Sequence, residues 1–262
     1  MKRVPLSVRW SLLAALAVAG CESTSQPADG GVAQGDAATP LDASSDAPFK
    51  PSAVTLSVRF IDAATRDPLV GVRVCAAERD EVPCSTTRAD GGVTIALPAD
   101  SELMLACTIE THAPMYMTLK TPAANFDVGI FRLIDKKTAA AFVVAAGAPE
   151  DPARGIVLAN VYDELERREQ RVADATFTLD PAEGTGPVYG GAIGVPVPGL
   201  TGSTTGGPGM FFNLSPGNRT VKIAHPSRRC VRGFGWPTPS ETSIRTKVYA
   251  GGLSTVTFVC PP

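Results

Sequence analysis

Histidine is scarce in this chain of 262 residues: it has two, His112 and His225, beside two tryptophans and four tyrosines. Neither histidine stands in H-x-H, H-x-x-E or H-E-x-x-H, so the metal sites that such spacings build are excluded. No G-x-S-x-G is present, which excludes the strained turn that exposes a nucleophilic serine. The six cysteines include no C-x-x-C, so their spacing does not describe a metal site. Basic and acidic residues nearly cancel, 24 against 26, and no basic excess is available for a nucleic-acid backbone. The glycine-rich "STTGGPG", 203–209, has no following lysine and no helix signal. It reads as a flexible hairpin loop rather than a phosphate cradle.

What is there begins at the amino end. Lys2, Arg3 and Arg9 precede an apolar stretch, Trp10 to Gly20, that stops at Cys21 and polar Glu22, Ser23 and Thr24. A membrane-spanning helix needs about 20 apolar residues, so this one is too short and reads as a secretory signal peptide, residues 1–20. Val18-Ala19-Gly20-Cys21 resembles the lipobox of bacterial lipoproteins. The resemblance implies a diacylglycerol on the Cys21 thiol, cleavage before it and acylation of the new amino group; the alternative is an ordinary signal peptide with an incidental cysteine. Several acyl chains on one residue anchor a protein stably, whereas one binds marginally. In that family an Asp after the cysteine favours the inner membrane. This chain has Glu22, so the expected address is the outer membrane of a bacterial envelope.

Removing the three basic groups of residues 1–20 leaves 21 basic against 26 acidic residues. Residues 22–49 carry five acids, no base, and only Val32, Leu41 and Phe49 as large apolar groups. Such a segment buries too little to offset its chain entropy. Residues 21–51 therefore read as a lipidated cysteine and a disordered acidic linker, with a reach of roughly 30 Å as a coil and about 95 Å when stretched.

From Ser52 the pattern is strand, turn, strand. In "AVTLSVRFID" the apolar Val54, Leu56, Val58 and Phe60 recur with period two. Val70, Val72 and Val74 do the same, as do Val93, Ile95 and Leu97, and then Leu103, Leu105, Cys107 and Ile109. The intervening "DAATRDPLVG" and "RADGG" supply turn residues. These segments predict an all-β, antiparallel sandwich over 52–134. Asp135 is placed to cap a short helix that Gly147 and Pro149 end, giving a connector over 135–153. "GIVLANVYD", "VADATFTL", Val221 with Ile223, and Val256, Phe258 and Cys260 of "LSTVTFVC" predict a second, more divergent sandwich over 154–262.

The succession "D-x-x-T-x-x-P-L-x-G-V-x-V", then "T-x-A-D-G" in "TTRADGG", an apolar strand and "L-P-A", is similar to the carboxypeptidase regulatory-like domain, a small sandwich of transthyretin (prealbumin) topology. "GMFFNLSPGNRTV" carries a second, weaker likeness to the same family, with Ser215 where a proline is common. Tandem modules of this kind imply a fold and no chemistry of their own. Intradiol dioxygenases share the broad topology and bind iron through two Tyr and two His. Tyr116, Tyr162, Tyr189 and Tyr249 are present, but the two histidines fall in different predicted domains.

Two functional classes follow. The first is a non-catalytic lipoprotein held to the membrane at Cys21, whose sandwiches bind an envelope protein or glycan or act as spacers. The second is a lipid-anchored enzyme, or an accessory subunit of an envelope enzyme or transport complex. The first is the expectation, with no cofactor, no metal and no nucleic acid. "RRCVRGFGWP", 228–237, joins Arg228, Arg229 and Arg232 with Phe234 and Trp236, a composition that interfaces enrich. It is the candidate binding loop, and the other role open to Trp236 is to cover a sandwich core.

Export makes disulfides expected. Cys75 has the parity of Arg73, away from the valine face, and Cys84 follows across the hairpin-like "AAERDEVP", so these two are predicted to pair. Cys107 shares the parity of Leu103 and Leu105 and reads as a buried small hydrophobe. Cys230 and Cys260 pair by elimination. Mass mapping without reduction is expected to join Cys75 to Cys84 and Cys230 to Cys260, with Cys107 recovered as a free thiol. A peptide joining Cys107 to any other cysteine would overturn the parity argument.

Overall fold

The structure, a computed structural model, describes residues 52–165 and 171–262. The signal peptide, Cys21 and the linker to residue 51 lie outside the described residues.

Alternation in the first strand builds the first sheet. Val54, Leu56, Val58 and Phe60 of β1 (Ala53–Asp62) are buried, while Arg59 is exposed. β1 lies between two partners. β4 (Gly92–Pro98) is antiparallel to it, and β7 (Phe126–Leu133) runs parallel to it. The "RADGG" turn that leads into β4 needs its first glycine. Gly91 has φ +76°, and a Cβ there would lie 2.4 Å from the Phe60 carbonyl oxygen.

A second sheet runs across the whole molecule. Its first half contains β3 (Ser85–Thr86), β2 (Arg73–Ala76), β5 (Glu102–Thr108) and β6 (Met115–Lys120), in that order. Its second half contains β8 (Gly155–Tyr162), β12 (Gly209–Leu214), β10 (Thr185–Gly190) and β11 (Pro196–Val197). The two halves are joined by β16 (Leu253–Val259), which pairs in parallel with β8 along its full length and with β6 through Leu253, Ser254 and Thr255. Beyond β6 the free edge of β16 is taken by β14 (Val231–Phe234). A third sheet sets β13 (Gly217–Ala224) between β9 (Thr176–Asp180) and β15 (Ser243–Val248).

The two outer sheets cover opposite faces of the long one. Leu158 and Leu253 belong to a core with β1, β4 and β7, together with Leu105, Cys107 and Met117. Their neighbours along the same strands, Val157, Ala159, Val256 and Phe258, belong to a core with Phe177, Val221 and Ile244. Adjacent residues of one strand thus point to two covered faces, so Thr255 and Thr257 are buried on the face opposite Val256. Residues 52–165 and 171–262 belong to one compact unit.

The architecture is all-β, with the short helix α1 (Lys136–Ala145) between β7 and β8. Asp135 caps α1, its carboxylate accepting the Thr138 amide at 2.9 Å, and Gly147 follows at φ +65°. Three pairings depart from the antiparallel expectation: β1 with β7, β16 with β8, and β16 with β6. Each joins strands far apart in sequence, where no hairpin dictates direction. Val70 also departs from expectation. It is 57% exposed because β2 starts only at Arg73 and the residues before it form a turn.

Cys75 and Cys84 are bonded, with Cα atoms 4.3 Å apart, and so are Cys230 and Cys260, at 4.1 Å. Cys107 is fully buried, and burial pushes its thiol up to about 12, so it is protonated and unreactive at neutral pH.

Because β16 contributes to both cores, Leu105→Ala in the first and Phe258→Ala in the second are each expected to cost about 3–4 kcal/mol. Each should lower one common unfolding transition. Calorimetry resolving two transitions, with each substitution moving only one, would contradict this coupling.

Candidate groove on the long sheet

Parallel pairing of β8 with β16 sets Leu158 beside Thr255 and Asn160 beside Thr257 on one face of the long sheet. Toward the far ends of these strands that face turns polar, and it becomes the floor of a groove of about 600 Å³. Asn160 Nδ2 donates to Thr255 Oγ1 at 3.0 Å, and Asn160 Oδ1 accepts from Arg171 Nη2 at 3.3 Å. Arg171 Nη1 donates to the Gly206 carbonyl at 2.6 Å, and its guanidinium lies 5.8 Å from the Tyr162 ring centroid. The walls are apolar. Phe142 comes from α1, Ile130 and Phe131 from β7, and Ile193 from the turn before β11. Two of these, Ile130 at 44% and Ile193 at 86%, are exposed.

The wall behind Ile193 depends on the glycine-rich segment expected to be a flexible loop. It is a packed turn instead. Ser203 is buried and its hydroxyl joins the Ala175 amide to the Val172 carbonyl, while Thr204 Oγ1 accepts the amides of Gly206 and Gly207. Gly207 packs directly on Gly190, and a Cβ there would meet the Gly190 Cα at 2.3 Å. The run of glycine is a demand of backbone approach.

Each histidine has local partners. His112 is buried, with Nε2 3.0 Å from Asp62 Oδ2 and Nδ1 2.8 Å from Thr111 Oγ1. Asp62 Oδ1 accepts the Ala64 and Thr65 amides, both at 2.7 Å. Burial alone would raise the Asp62 carboxyl, but those amides and His112 outweigh it and hold it below its usual range. His225 Nδ1 accepts the amides of Ser227 and Arg228, which fixes Nε2 as the donor to the Ala173 carbonyl at 3.0 Å. The tyrosines are dispersed. Tyr116 stacks on Tyr249 at 4.3 Å, Tyr189 accepts the Phe177 amide, and Tyr162 lies under Arg171. Among the described residues, no three His, Cys, Asp or Glu side chains converge as a metal site. No helix among them is long and apolar enough to cross a membrane.

The candidate binding loop is divided by the fold. Arg229 is exposed and pairs with Glu241 at 2.7 Å; Arg228 donates to the Cys260 carbonyl, and Arg232 to the Thr238 carbonyl. Phe234 packs against the first core. Trp236 Nε1 donates to the Leu103 carbonyl at 2.8 Å and carries the Arg245 guanidinium over its ring. Trp236 therefore takes the covering role, joining the third sheet to β5. Arg245 with Glu102, and Lys247 with Glu78, tie the same two regions together. The groove residues Asn160, Arg171, Ile193, Thr255 and Thr257 escaped the sequence reading. The one available signal was a pair of threonines at alternate positions of β16.

No protein-family model matches the chain, and no curated protein is similar to it. Solved structures similar to it include the TIE protein of Bacillus anthracis, at 12% identity and TM-score 0.27 over 80% of this chain and 34% of that one. The chain thus spans about a third of the TIE protein's length. The minor pilin GBS52 of Streptococcus agalactiae shares 10% identity over 79% of this chain and 95% of that one, with TM-score 0.27. The shaft pilin SpaA of Lactobacillus rhamnosus GG shares 15% over 81% and 99%, with TM-score 0.23. Identities and scores at this level define no family for the chain.

A partly exposed ionic cluster ties the residue before β8 to the β9–β10 turn and to β13. Glu183 Oε1 accepts from Arg154 Nη1 at 2.6 Å, from the Ser215 hydroxyl at 2.5 Å and from the Ser215 amide at 3.2 Å, and Oε2 pairs with buried Arg219. The Ser215 hydroxyl first, then Arg219, the Ser215 amide and Arg154, outweigh desolvation and hold the carboxyl at about 2. A carboxyl depressed in the folded state stabilises the fold above its unfolded value and loses that effect as pH falls toward the folded one. Glu183→Gln is expected to destabilise the protein at pH 7 by on the order of 1–2 kcal/mol. Denaturant titrations across pH should show the difference from wild type shrinking between pH 5 and pH 2; a difference constant over that range would remove the ionic account.

Proposed function

We propose that the chain is a lipid-anchored protein of the bacterial envelope, probing its surroundings with a β-sandwich body that binds a partner rather than performing a reaction. The observation that carries this reading is the groove. Its floor offers amide, hydroxyl and guanidinium groups and its walls offer exposed aliphatic side chains, the mixture by which ligand sites combine orientation with apolar contact. The lipobox-like Val18-Ala19-Gly20-Cys21 supplies the anchor, and the acidic linker supplies the distance between the membrane and the body. Glu22 after the cysteine supports the outer membrane. The repeated resemblance to regulatory-like modules agrees with a body that accompanies other envelope proteins. The partner is a protein or a glycan of the envelope.

A second reading, hydrolysis, rests on one observation. Thr111, His112 and Asp62 form a hydroxyl, imidazole and carboxylate chain at 2.8 and 3.0 Å, the order of groups in a nucleophilic relay. The amides of Ala64 and Thr65 on the same carboxylate favour the other role, a clip that closes the turn after β1.

Replacing Cys21 with Ala is expected to abolish palmitate labelling and to release the chain from the membrane fraction of the producing cells. Undiminished labelling would overturn the anchor. In the same preparations, hydrolysis of p-nitrophenyl acetate that is lost in Thr111→Val would transfer the assignment to the second reading.

A further inference from the structure

The four tyrosines divide into two kinds. Tyr162 and Tyr189 are buried in separate places, one under Arg171 and the other against Phe177. Tyr116 and Tyr249 are half-buried and lie on each other, with ring centroids 4.3 Å apart and planes 12° from parallel. They come from distant parts of the chain. Tyr116 stands on β6 opposite Ser254 of β16, and Tyr249 opens the turn that leads from β15 into β16. Gly252 makes the approach possible, since its amide donates to the Tyr249 carbonyl at 3.2 Å and a Cβ there would lie 2.4 Å from Tyr116 Cε2.

The groups around this pair suit the removal of an electron. Tyr249 donates its hydroxyl proton to Glu78 Oε1 at 2.9 Å. Glu78 sits in left-handed backbone, φ +64°, within the loop that the Cys75–Cys84 disulfide closes. Its bond to Lys247 and then its bond to Tyr249 hold its carboxyl below the usual range, so it is ionised at neutral pH. Burial raises both phenols, and the Glu78 carboxylate raises Tyr249 further, so each keeps its proton until it is oxidised. A phenol that has lost an electron is a strong acid, and the Glu78 carboxylate is already placed to take the proton. The Lys247 ammonium, 5.3 Å from the Tyr249 ring centroid, opposes the loss of the electron, and the carboxylate with which it pairs offsets that opposition. In a phenoxyl radical the unpaired electron occupies π orbitals on the oxygen and on the ortho and para carbons, perpendicular to the ring. Parallel stacking directs those orbitals at the neighbouring ring.

We propose that Tyr116 and Tyr249 form a site of oxidative cross-linking, at which a one-electron oxidant joins the two rings by a carbon–carbon bond between their ortho positions. Each phenol gives one electron to the oxidant and releases one proton, from Tyr249 to Glu78 and from Tyr116 to water. The two radicals combine in the new bond, the two ortho hydrogens leave as protons, and the two oxygens are reprotonated. Two electrons pass to two equivalents of oxidant, and the chain loses two hydrogens. The bridge pins β6 to the turn that feeds β16, and neither the groove nor the lipid anchor takes part in it.

The test treats the purified full-length chain, diluted so that copies stay apart, with two equivalents of hexachloroiridate(IV). Wild type is expected to gain the fluorescence of dityrosine. After reduction and trypsin it should also yield the peptides containing Tyr116 and Tyr249 joined to each other, two hydrogens lighter than their sum. Tyr116→Phe and Tyr249→Phe, which keep a ring in the stack, should each abolish this product while the circular dichroism of the fold is unchanged. Glu78→Gln keeps both phenols, removes the proton acceptor, and is expected to slow formation of the bridge by about tenfold or more. Dityrosine found only between chains, a bridge through Tyr162 or Tyr189, consumption of the oxidant with no joined peptide, or a Glu78→Gln rate equal to that of wild type would each overturn the inference.

Discussion

The constraint on which the rest depends is the insertion of β16 between β6 and β8. Hydrogen bonds on both edges and apolar burial on both faces make this strand part of two cores at once. A sandwich ordinarily closes one core between two sheets. Here one long sheet serves as a wall for both, and its two covering sheets lie on opposite sides. Helix α1 fits between as the lid on the stretch of the first face that β1, β4 and β7 do not reach, burying Ala139 and Phe142 there. Where that cover ends, the floor becomes polar, and the groove opens on the part of this face left uncovered.

Side-chain ties across the molecule follow from the same arrangement. The third sheet overhangs β5 and β6, which brings Trp236 to the Leu103 carbonyl and stacks Tyr249 on Tyr116. An indole that covers apolar surface while its N–H finds a carbonyl is a familiar use of Trp in a core margin. The surface ion pairs in this region contribute little individually, since exposed charges lose most of their attraction to solvent. Burial of Met104 and Thr118 on the far side of β5 and β6 is the stronger sign that this contact is part of the fold.

Strand alternation was legible wherever one face meets solvent, as in β1 and β4, because period-two burial is then written directly in residue type. It was incomplete in β5 and β16. Met104 and Thr255 are buried although their parity assigns them to the outside, since a strand covered on both faces loses the contrast that alternation reports. Turn chemistry was also legible: Asp135 caps its helix, and Gly91 and Gly147 occupy left-handed backbone. Parallel pairing was not, because it depends on which distant strand fills an edge. The groove could not be read for the same reason. Arg66, Phe142, Asn160, Arg171, Ile193 and Thr257 come from six segments, and none stands in a motif. "RRCVRGFGWP" had the composition of an interface, and its aromatic members are engaged inside the molecule.

The position of β16 in the chain has a temporal side. It leaves the ribosome, and crosses any membrane, after every strand it joins. Until it arrives, β6 and β8 each present an unpaired edge and both cores lack a wall. Contacts between such distant segments form slowly, since loop closure precedes any reward from burial. A chain built this way stays open until β16 has been made. Its folding is then timed by the arrival of β16 rather than by that of β1.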